Sequence, residues 1–107
     1  MQLDFVVDDR RDHTTLLALV VAHASKLSGV EVVPAQAEFQ ERGTLADLAV
    51  LVPTVGSAYW MLRTISEALA NRGRQVVVSN DQSERLELPA ADHVIELWII
   101  GAWSEEG

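Results

Sequence analysis

The fold is decided by residues 58–88, whose sequence is AYWMLRTISEALANRGRQVVVSNDQSERLEL. In the first half of this stretch, apolar residues recur at the 3.6-residue spacing of a helix that buries one face, and polar residues occupy the other side. The apolar positions are Ala58, Met61, Leu62, Ile65, Ala68 and Leu69. This spacing predicts an amphipathic helix from Ala58 to Asn71. Gly73 closes the helix, because glycine readily adopts the left-handed conformation common at helix ends.

A β-hairpin is predicted directly after this helix. Residues 75–79 (QVVVS) and 84–88 (ERLEL) are the two strand segments, and the first is rich in β-branched valine. Asn80, Asp81 and Gln82 lie between them, and these residue types suit a tight turn that requires positive backbone angles. Pro89 ends the second strand. A helix followed at once by a hairpin indicates mixed α and β structure.

The N-terminal half predicts a strand, a helix and a second strand. Residues 3–8 (LDFVVD) form the first strand. The helix, residues 15–27, is apolar almost all round, which predicts burial on more than one side, with Asp12 or Thr14 as its cap. Ser28 and Gly29 end it. Residues 30–33 predict an edge strand, because Pro34 cannot donate a hydrogen bond to a neighbouring strand.

The remaining segments complete a single α+β domain. Thr44 is a candidate cap for a short segment, residues 45–48, and Pro53 then interrupts the chain. Residues 90–103 fit either a helix or a strand, and we expect a helix. The predicted order over residues 1–107 is β-α-β-α-β-β-α, with helices packed on one face of a small sheet. The length of 107 residues is that of one domain.

Composition excludes several classes of function. The chain has 8 basic and 16 acidic residues, a net charge of −8, which disfavours binding to nucleic acid. It has no cysteine, which excludes disulfides, thiol catalysis and thiolate metal sites and fits the reducing cytoplasm. The longest uncharged run, residues 48–62, is shorter than the roughly 18 residues of a spanning helix and contains Pro53 and Gly56. We expect no membrane span.

Few residues suggest chemistry. Asp8, Asp9, Asp12 and His13 form the densest group of potential metal ligands, with Asp8, Asp12 and His13 as the alternative metal-binding residues. A solvated loop whose Asp12 caps a helix is the preferred interpretation, because the spacing of a calcium-binding loop is absent. His23 and His93 have no nucleophile at a spacing that would pair with them. Ser57 follows a glycine before a helix, but the flanking glycine of a nucleophile turn is missing, so a capping role is expected. We therefore expect neither catalysis nor a cofactor.

The C-terminal segment is the strongest candidate for partner binding. Aromatic and large aliphatic side chains dominate protein interfaces, and this segment is rich in both. The predicted partner-binding residues are Val94, Trp98, Ile99 and Trp103. The alternative is that the segment simply closes the core. The edge strand near Pro34 is a second candidate surface, because edge strands present unpaired backbone groups.

One family resemblance covers most of the chain. Residues 43–48 (GTLADL) and an apolar segment through Gly56 and Ser57 precede the amphipathic helix, which ends in residues 70–74 (ANRGR) and leads to VVV at 76–78 and LEL at 86–88. This order resembles the effector-associated constant component family of bacterial conflict systems. The resemblance implies a non-catalytic adaptor in bacterial defence, partnered with a peptidase-type effector or its regulator. The tryptophan-rich C-terminus departs from the family pattern.

The sequence therefore predicts a protein–protein interaction module. One alternative is a small metal- or ligand-binding domain or enzyme that uses residues 8–13. A second is an acidic immunity- or antitoxin-like protein that neutralises a basic partner, because strong negative charge accelerates association with such a target. Self-association is a further alternative, given the apolarity of the first helix.

Overall fold

The protein folds around one antiparallel sheet with helices connecting its strands. The computed structural model describes residues 1–7, 11–34 and 48–106. The elements in these ranges are, in chain order, β1 (Gln2–Val6), α1 (His13–Ala24), β2 (Glu31–Pro34), β3 (Leu48–Leu51), α2 (Val55–Arg72), β4 (Val76–Ser79), β5 (Arg85–Leu88) and α3 (Asp92–Glu106).

The strands lie in the order β2-β3-β1-β4-β5, and every neighbouring pair is antiparallel. β1 is central: Phe5 lies opposite Leu48 of β3 on one side and Val78 of β4 on the other. The first six of the described elements, with strand order β2-β3-β1-β4, match the split βαβ arrangement of ferredoxin-like folds. β5 and α3 extend this arrangement at the β4 edge.

The helices cover one face of the sheet. Burial alternates along β1 and β4, so that Leu3, Phe5, Val76 and Val78 are buried while their neighbours in sequence are partly exposed. The buried residues join the apolar sides of the three helices in one hydrophobic core. On the opposite face, residues that lie directly across from one another form rows, such as Val33–Ala49–Asp4–Ser79–Arg85. These two faces establish the predicted two-layer α+β architecture.

α2 is the central helix of the helical layer, and it contacts both α1 and α3. Its predicted amphipathic face is confirmed: Ala58, Met61, Leu62, Ile65 and Leu69 are all buried. Gly73 is confirmed as the C-cap, with a φ of 64° in the left-handed region.

The start of α2 differs from the prediction. The helix begins at Val55, three residues before Ala58, and its cap is Thr54 rather than Ser57. The Thr54 Oγ1 accepts a hydrogen bond from the Ser57 backbone N–H at 3.1 Å. Because Thr54 satisfies one of the open amides of the first turn, the helix can begin immediately after Pro53.

The predicted element order lacks one strand. β3 is a strand that the prediction did not contain, and it pairs with β2 on one side and with β1 on the other. Leu48, Ala49 and Val50 are all buried. A continuous apolar run of this length fits a buried strand or a buried helix, and pairing on both sides selects the strand. Residues 44–47, where a cap and the start of a helix were expected, lie outside the described residues.

α1 also differs from the prediction. It begins at His13 and ends at Ala24 with Ser25 as its C-cap, before the predicted end at Ser28 and Gly29. It is buried along one stripe (Leu16, Leu19, Val20 and Ala24), whereas Ala18 and Ala22 are exposed, so the prediction of burial on more than one side is wrong. The Asp12 side chain forms no cap hydrogen bond. Its carboxylate instead forms an ion pair with the Arg74 guanidinium, as described below.

The hairpin and the last helix are confirmed. β4 and β5 pair in antiparallel register, with Val77 opposite Glu87. Asn80 organises the turn, because its Oδ1 accepts the backbone N–H groups of Gln82 and Glu84 at 2.9 and 3.0 Å. The positive backbone angle falls on Ser83, with a φ of 62°, rather than on residues 80–82. Residues 92–106 are helical, which resolves the helix-or-strand ambiguity of the C-terminal segment.

Candidate docking surface

α3 is apolar on two sides, and only one of them faces the core. Ile95, Ile99 and Ala102 are buried with at most 1% exposure. On the solvent side, Val94, Leu97 and Ile100 retain 40%, 68% and 46% of their side-chain exposure. These three residues are called here the outer face of α3. A surface helix usually carries polar residues at such positions, so an apolar outer face is unusual for a domain that has no partner.

The structure separates the four predicted partner-binding residues. Val94 belongs to the outer face of α3. Ile99 is 1% exposed and belongs to the core, although it also lines the groove described below, so its contact with a partner stays a prediction. Trp98 is partly buried and packs against the core, and its buried Nε1 forms no hydrogen bond with any described residue. Trp103 lies within α3, but the position of its side chain falls outside the description.

A groove runs between the start of α2 and the middle of α3. It is lined by Val55, Gly56 and Tyr59 of α2 and by Glu96, Ile99 and Ile100 of α3, and its volume is about 350 Å³. This space is called here the α2–α3 groove. Gly56 forms part of its wall, and a Cβ atom added there would meet nothing within 4 Å. The groove is therefore open to solvent along the Gly56 side.

Two sets of contacts fix α3 against α2. The buried Ser66 hydroxyl accepts the Ala90 N–H at 2.8 Å and donates to the Ala90 carbonyl at 3.1 Å, immediately before α3 begins. The Arg63 Nε lies 3.5 Å from Asp92 of α3 and 3.8 Å from Glu67 of its own helix. Because the Ser66–Ala90 and Arg63–Asp92 contacts join α2 to the start of α3, they contribute to the spacing of the two helices and so to the width of the α2–α3 groove.

Trp60 extends the apolar surface on α2. It lies one helical turn after Gly56 and is 52% exposed, and the Arg63 guanidinium carbon sits 5.3 Å from its ring centroid. On its other side, Trp60 shares a smaller groove with His23, Lys26 and Leu27 of the first helix–loop segment. Partial burial, with a contribution from the Lys26 charge, lowers the pKa of His23 below its ordinary value of 6.5.

The predicted metal site gains no support from the described residues. Asp12 Oδ2 lies 2.6 Å from Arg74 Nη2, so this carboxylate is engaged in an ion pair across the fold. His13 is the first residue of α1, and Asp8 falls outside the described ranges. No cluster of three or more histidine, aspartate or glutamate side chains within the described residues is placed to hold a metal ion.

The catalytic candidates are likewise not brought together. Asp92 and His93 are consecutive on α3, and Asp92 pairs with Arg63 rather than with the imidazole. Ser57 forms a hydrogen bond with the Thr54 hydroxyl at 3.0 Å on the exposed first turn of α2. His23 lies in the last turn of α1, on a different side of α2 from α3. These positions give no nucleophile–base pair among these residues.

A larger depression of about 670 Å³ lies at the opposite end of α2. Its charged lining consists of Arg74 and Glu87, and the rest is aliphatic side chain, glycine, proline, glutamine and backbone around the α2–β4 turn. Glu87 is the lining residue that could act as a general base, and no serine, threonine, histidine or lysine among the described residues lines the depression beside it. Size alone therefore does not make it the functional site, and the exposed apolar residues at the α2–α3 groove are the stronger signal.

Sequence reasoning missed half of this surface. Leu97, Ile100 and Trp60 are its most exposed large apolar residues, yet the aromatic residues of the last segment drew the prediction. A helical projection of residues 92–102 places Ile95 and Ile99 opposite Leu97, which signals that one of the two apolar sides must face solvent. The contribution of Gly56 and Val55 from α2 depends on the tertiary packing of two helices.

Comparison with known proteins yields no relative: no family model, no curated protein and no solved structure matches the chain. Within the described residues, no helix combines the length and the apolar run that crossing a bilayer would require. The function of the chain is therefore inferred from the geometry of the α2–α3 groove and its surroundings.

Proposed function

We propose that this chain is a non-catalytic protein-binding module that docks its partner on the α2–α3 groove and the outer face of α3. The observation that carries this proposal is the exposure of Val94, Leu97 and Ile100 on one helix beside an open apolar groove. Removing apolar surface from water contributes about 25 cal/mol per Å², so a partner that covers these side chains gains a substantial driving force. Nearby Trp60 adds an aromatic anchor of the kind enriched at interface hot spots.

The shape of the groove favours a protein partner over a small molecule. Its volume of about 350 Å³ is near the lower limit of ligand pockets, roughly 300–1,000 Å³, and it is open to solvent. Its lining offers one ionisable carboxylate, Glu96, and the phenol of Tyr59. Such a site accepts one or two apolar side chains of a protein segment while the rest of the segment covers the outer face of α3.

The adaptor role in bacterial defence is the narrower form of this proposal. A peptidase-type effector or its regulator as the partner rests on the resemblance of the central segment to the effector-associated constant component family. The small α+β domain with an apolar helix exposed near its C-terminus supports a binding role in general. It is compatible with that partner without selecting it.

The proposal is tested by comparative affinity capture with two glutamine variants. Gly56→Gln places a side chain at the mouth of the groove, where an added Cβ meets nothing within 4 Å. Ala22→Gln places the same side chain at an exposed position of α1, which lines neither the groove nor the outer face of α3. Neither position has a positive φ, and glutamine is a good helix former, so neither variant should lose much stability.

We expect a stoichiometric partner that the wild type and Ala22→Gln retain and Gly56→Gln loses. The expected loss of affinity is about tenfold or more, because burial of one large apolar anchor contributes about 1.5–3 kcal/mol. Retention of every captured protein by Gly56→Gln, with its fold intact by circular dichroism, would contradict docking at the groove.

A further inference from the structure

We infer that the segment bound in the α2–α3 groove is a cationic amphipathic helix, with an apolar side chain in the groove and a lysine or arginine against Glu96. This inference rests on the proposed function, and it adds the chemistry of the partner. Two packed helices that leave an apolar groove between them are a common receptor for the apolar side of a third helix.

The charge at the groove selects a cation. Glu96 lines the groove, is exposed, and forms no ion pair with any residue that the structure describes. The charged residues along the α2–α3 seam are Arg63, Glu67, Asp92 and Glu96, so one positive and three negative charges sum to −2. Arg63 is already engaged by two of these carboxylates, which leaves Glu96 as the carboxylate open to a partner's cation.

The charge of the whole chain acts in the same direction. A net charge of −8 attracts a cationic partner over a distance of about a Debye length and raises its association rate. The same charge opposes a second copy of the chain as the occupant, because two copies would bring −8 against −8. The field and the local carboxylate therefore favour a basic partner over self-association.

The spacing of the apolar residues suits a helical occupant. Val94, Leu97 and Ile100 recur at i, i+3 and i+6, which makes one apolar strip along the solvent side of α3. Gly56 and Trp60 are one turn apart on α2. A helix lying in the groove would contact Ile100 on one side and Gly56 on the other, and its backbone can approach closely at Gly56 because no side chain intervenes.

The test uses two synthetic helical peptides of about 15 residues. Both carry leucine at i, i+3, i+4 and i+7; the remaining positions alternate alanine with lysine in one peptide and alanine with glutamate in the other. Their dissociation constants are measured by fluorescence anisotropy against the wild type, Glu96→Gln and Glu87→Gln. Glu87 is the matched control, because it is exposed and lines the depression at the other end of α2.

We expect the leucine–lysine peptide to bind and the leucine–glutamate peptide to bind at least about tenfold more weakly. Glu96→Gln should weaken binding of the leucine–lysine peptide by about threefold, the size expected for one rim ion pair. Glu87→Gln removes the same charge away from the groove. The dissociation constant of the leucine–lysine peptide should therefore change only by the amount that the lower net charge of the protein produces. Gly56→Gln should abolish it, which separates groove binding from general attraction to an acidic protein.

Three outcomes would overturn the inference. Equal affinity for the two peptides, or equal weakening by Glu96→Gln and Glu87→Gln, would show that Glu96 does not select the occupant. Binding of neither peptide would exclude a cationic amphipathic helix, while the capture experiment would still decide the docking function. A concentration-dependent dimer in sedimentation that Gly56→Gln disrupts would make a second copy the occupant.

Discussion

Replacing Ser66 by alanine tests how α3 is held against α2. The Ser66 hydroxyl is 5% exposed at the residue level and makes two hydrogen bonds to the backbone of Ala90, as acceptor at 2.8 Å and as donor at 3.1 Å. The two residues are 24 positions apart, so this contact joins α2 to the segment that leads into α3. Ser66→Ala removes both bonds and leaves a partly buried N–H and carbonyl without their partner.

The expected cost follows from these two bonds. Each contributes about 0.5–1.5 kcal/mol net, so Ser66→Ala should lower the free energy of unfolding by about 1–3 kcal/mol. For a domain of this size, about 4 °C of melting temperature corresponds to each kcal/mol, which gives a decrease of about 4–12 °C. Urea denaturation and thermal melting followed by circular dichroism measure the two quantities.

Ser57→Ala is the matched control for this prediction. Ser57 lies in the same helix, and its hydrogen bond to the Thr54 hydroxyl is exposed, so the same substitution should change stability by less than about 0.5 kcal/mol. Equal stability of Ser66→Ala and Ser57→Ala would refute the reasoning that the Ser66–Ala90 contact fixes α3, and with it the stated origin of the groove width.

Three further predictions test the assignment of individual residues. Leu97→Gln should change the free energy of unfolding by less than about 0.5 kcal/mol, whereas Ile99→Ala should lower it by about 2–5 kcal/mol, because only Ile99 is buried. Equal losses of unfolding free energy in urea denaturation would contradict the orientation of α3. The pKa of His23 in the folded protein lies below its ordinary value of 6.5, so the unfolded chain binds a proton at a higher pH than the folded chain does. The wild type should therefore lose stability relative to His23→Gln as the pH falls through 6.5. Parallel curves of unfolding free energy against pH for the two proteins, between about pH 5 and 8, would exclude this. Gly73→Ala should lower the free energy of unfolding by about 1–2 kcal/mol because Gly73 has a φ of 64°. Gly56→Ala is the control, because an added Cβ has equal space there and the φ is not positive, and it should not lower the free energy of unfolding. A lower melting temperature in both variants would show that the difference in φ is not the cause.

Most of the elements that were predicted correctly are encoded by short-range sequence patterns. The 3.6-residue spacing of α2, its closing Gly73 and the paired segments of the hairpin depend on neighbours within a few positions, and the structure confirms each of them. β3 escaped prediction because four consecutive apolar residues carry no period. Its identity depends on pairing with β1, which is 43 or more residues distant along the chain for every pair.

The docking surface was predictable only in part. An apolar C-terminal helix was recognised, but whether Ile99 or Leu97 faces the core depends on which side meets α2, and composition does not encode that choice. Asp12 is a second example. Its side chain was expected to cap the neighbouring helix, but its carboxylate forms an ion pair with Arg74, which is 62 positions away along the chain. Side-chain contacts between distant segments therefore decided the features that sequence patterns left open.

The measurement that tests the central claim most directly is amide chemical-shift mapping of the ¹⁵N-labelled domain during titration with the partner retained in the capture experiment. Docking at the α2–α3 groove predicts the largest perturbations at Gly56, Tyr59, Leu97 and Ile100. The edge strand β2 (Glu31–Pro34) is the alternative surface. Perturbations confined to β2, with the groove residues unchanged at saturation, would contradict the account.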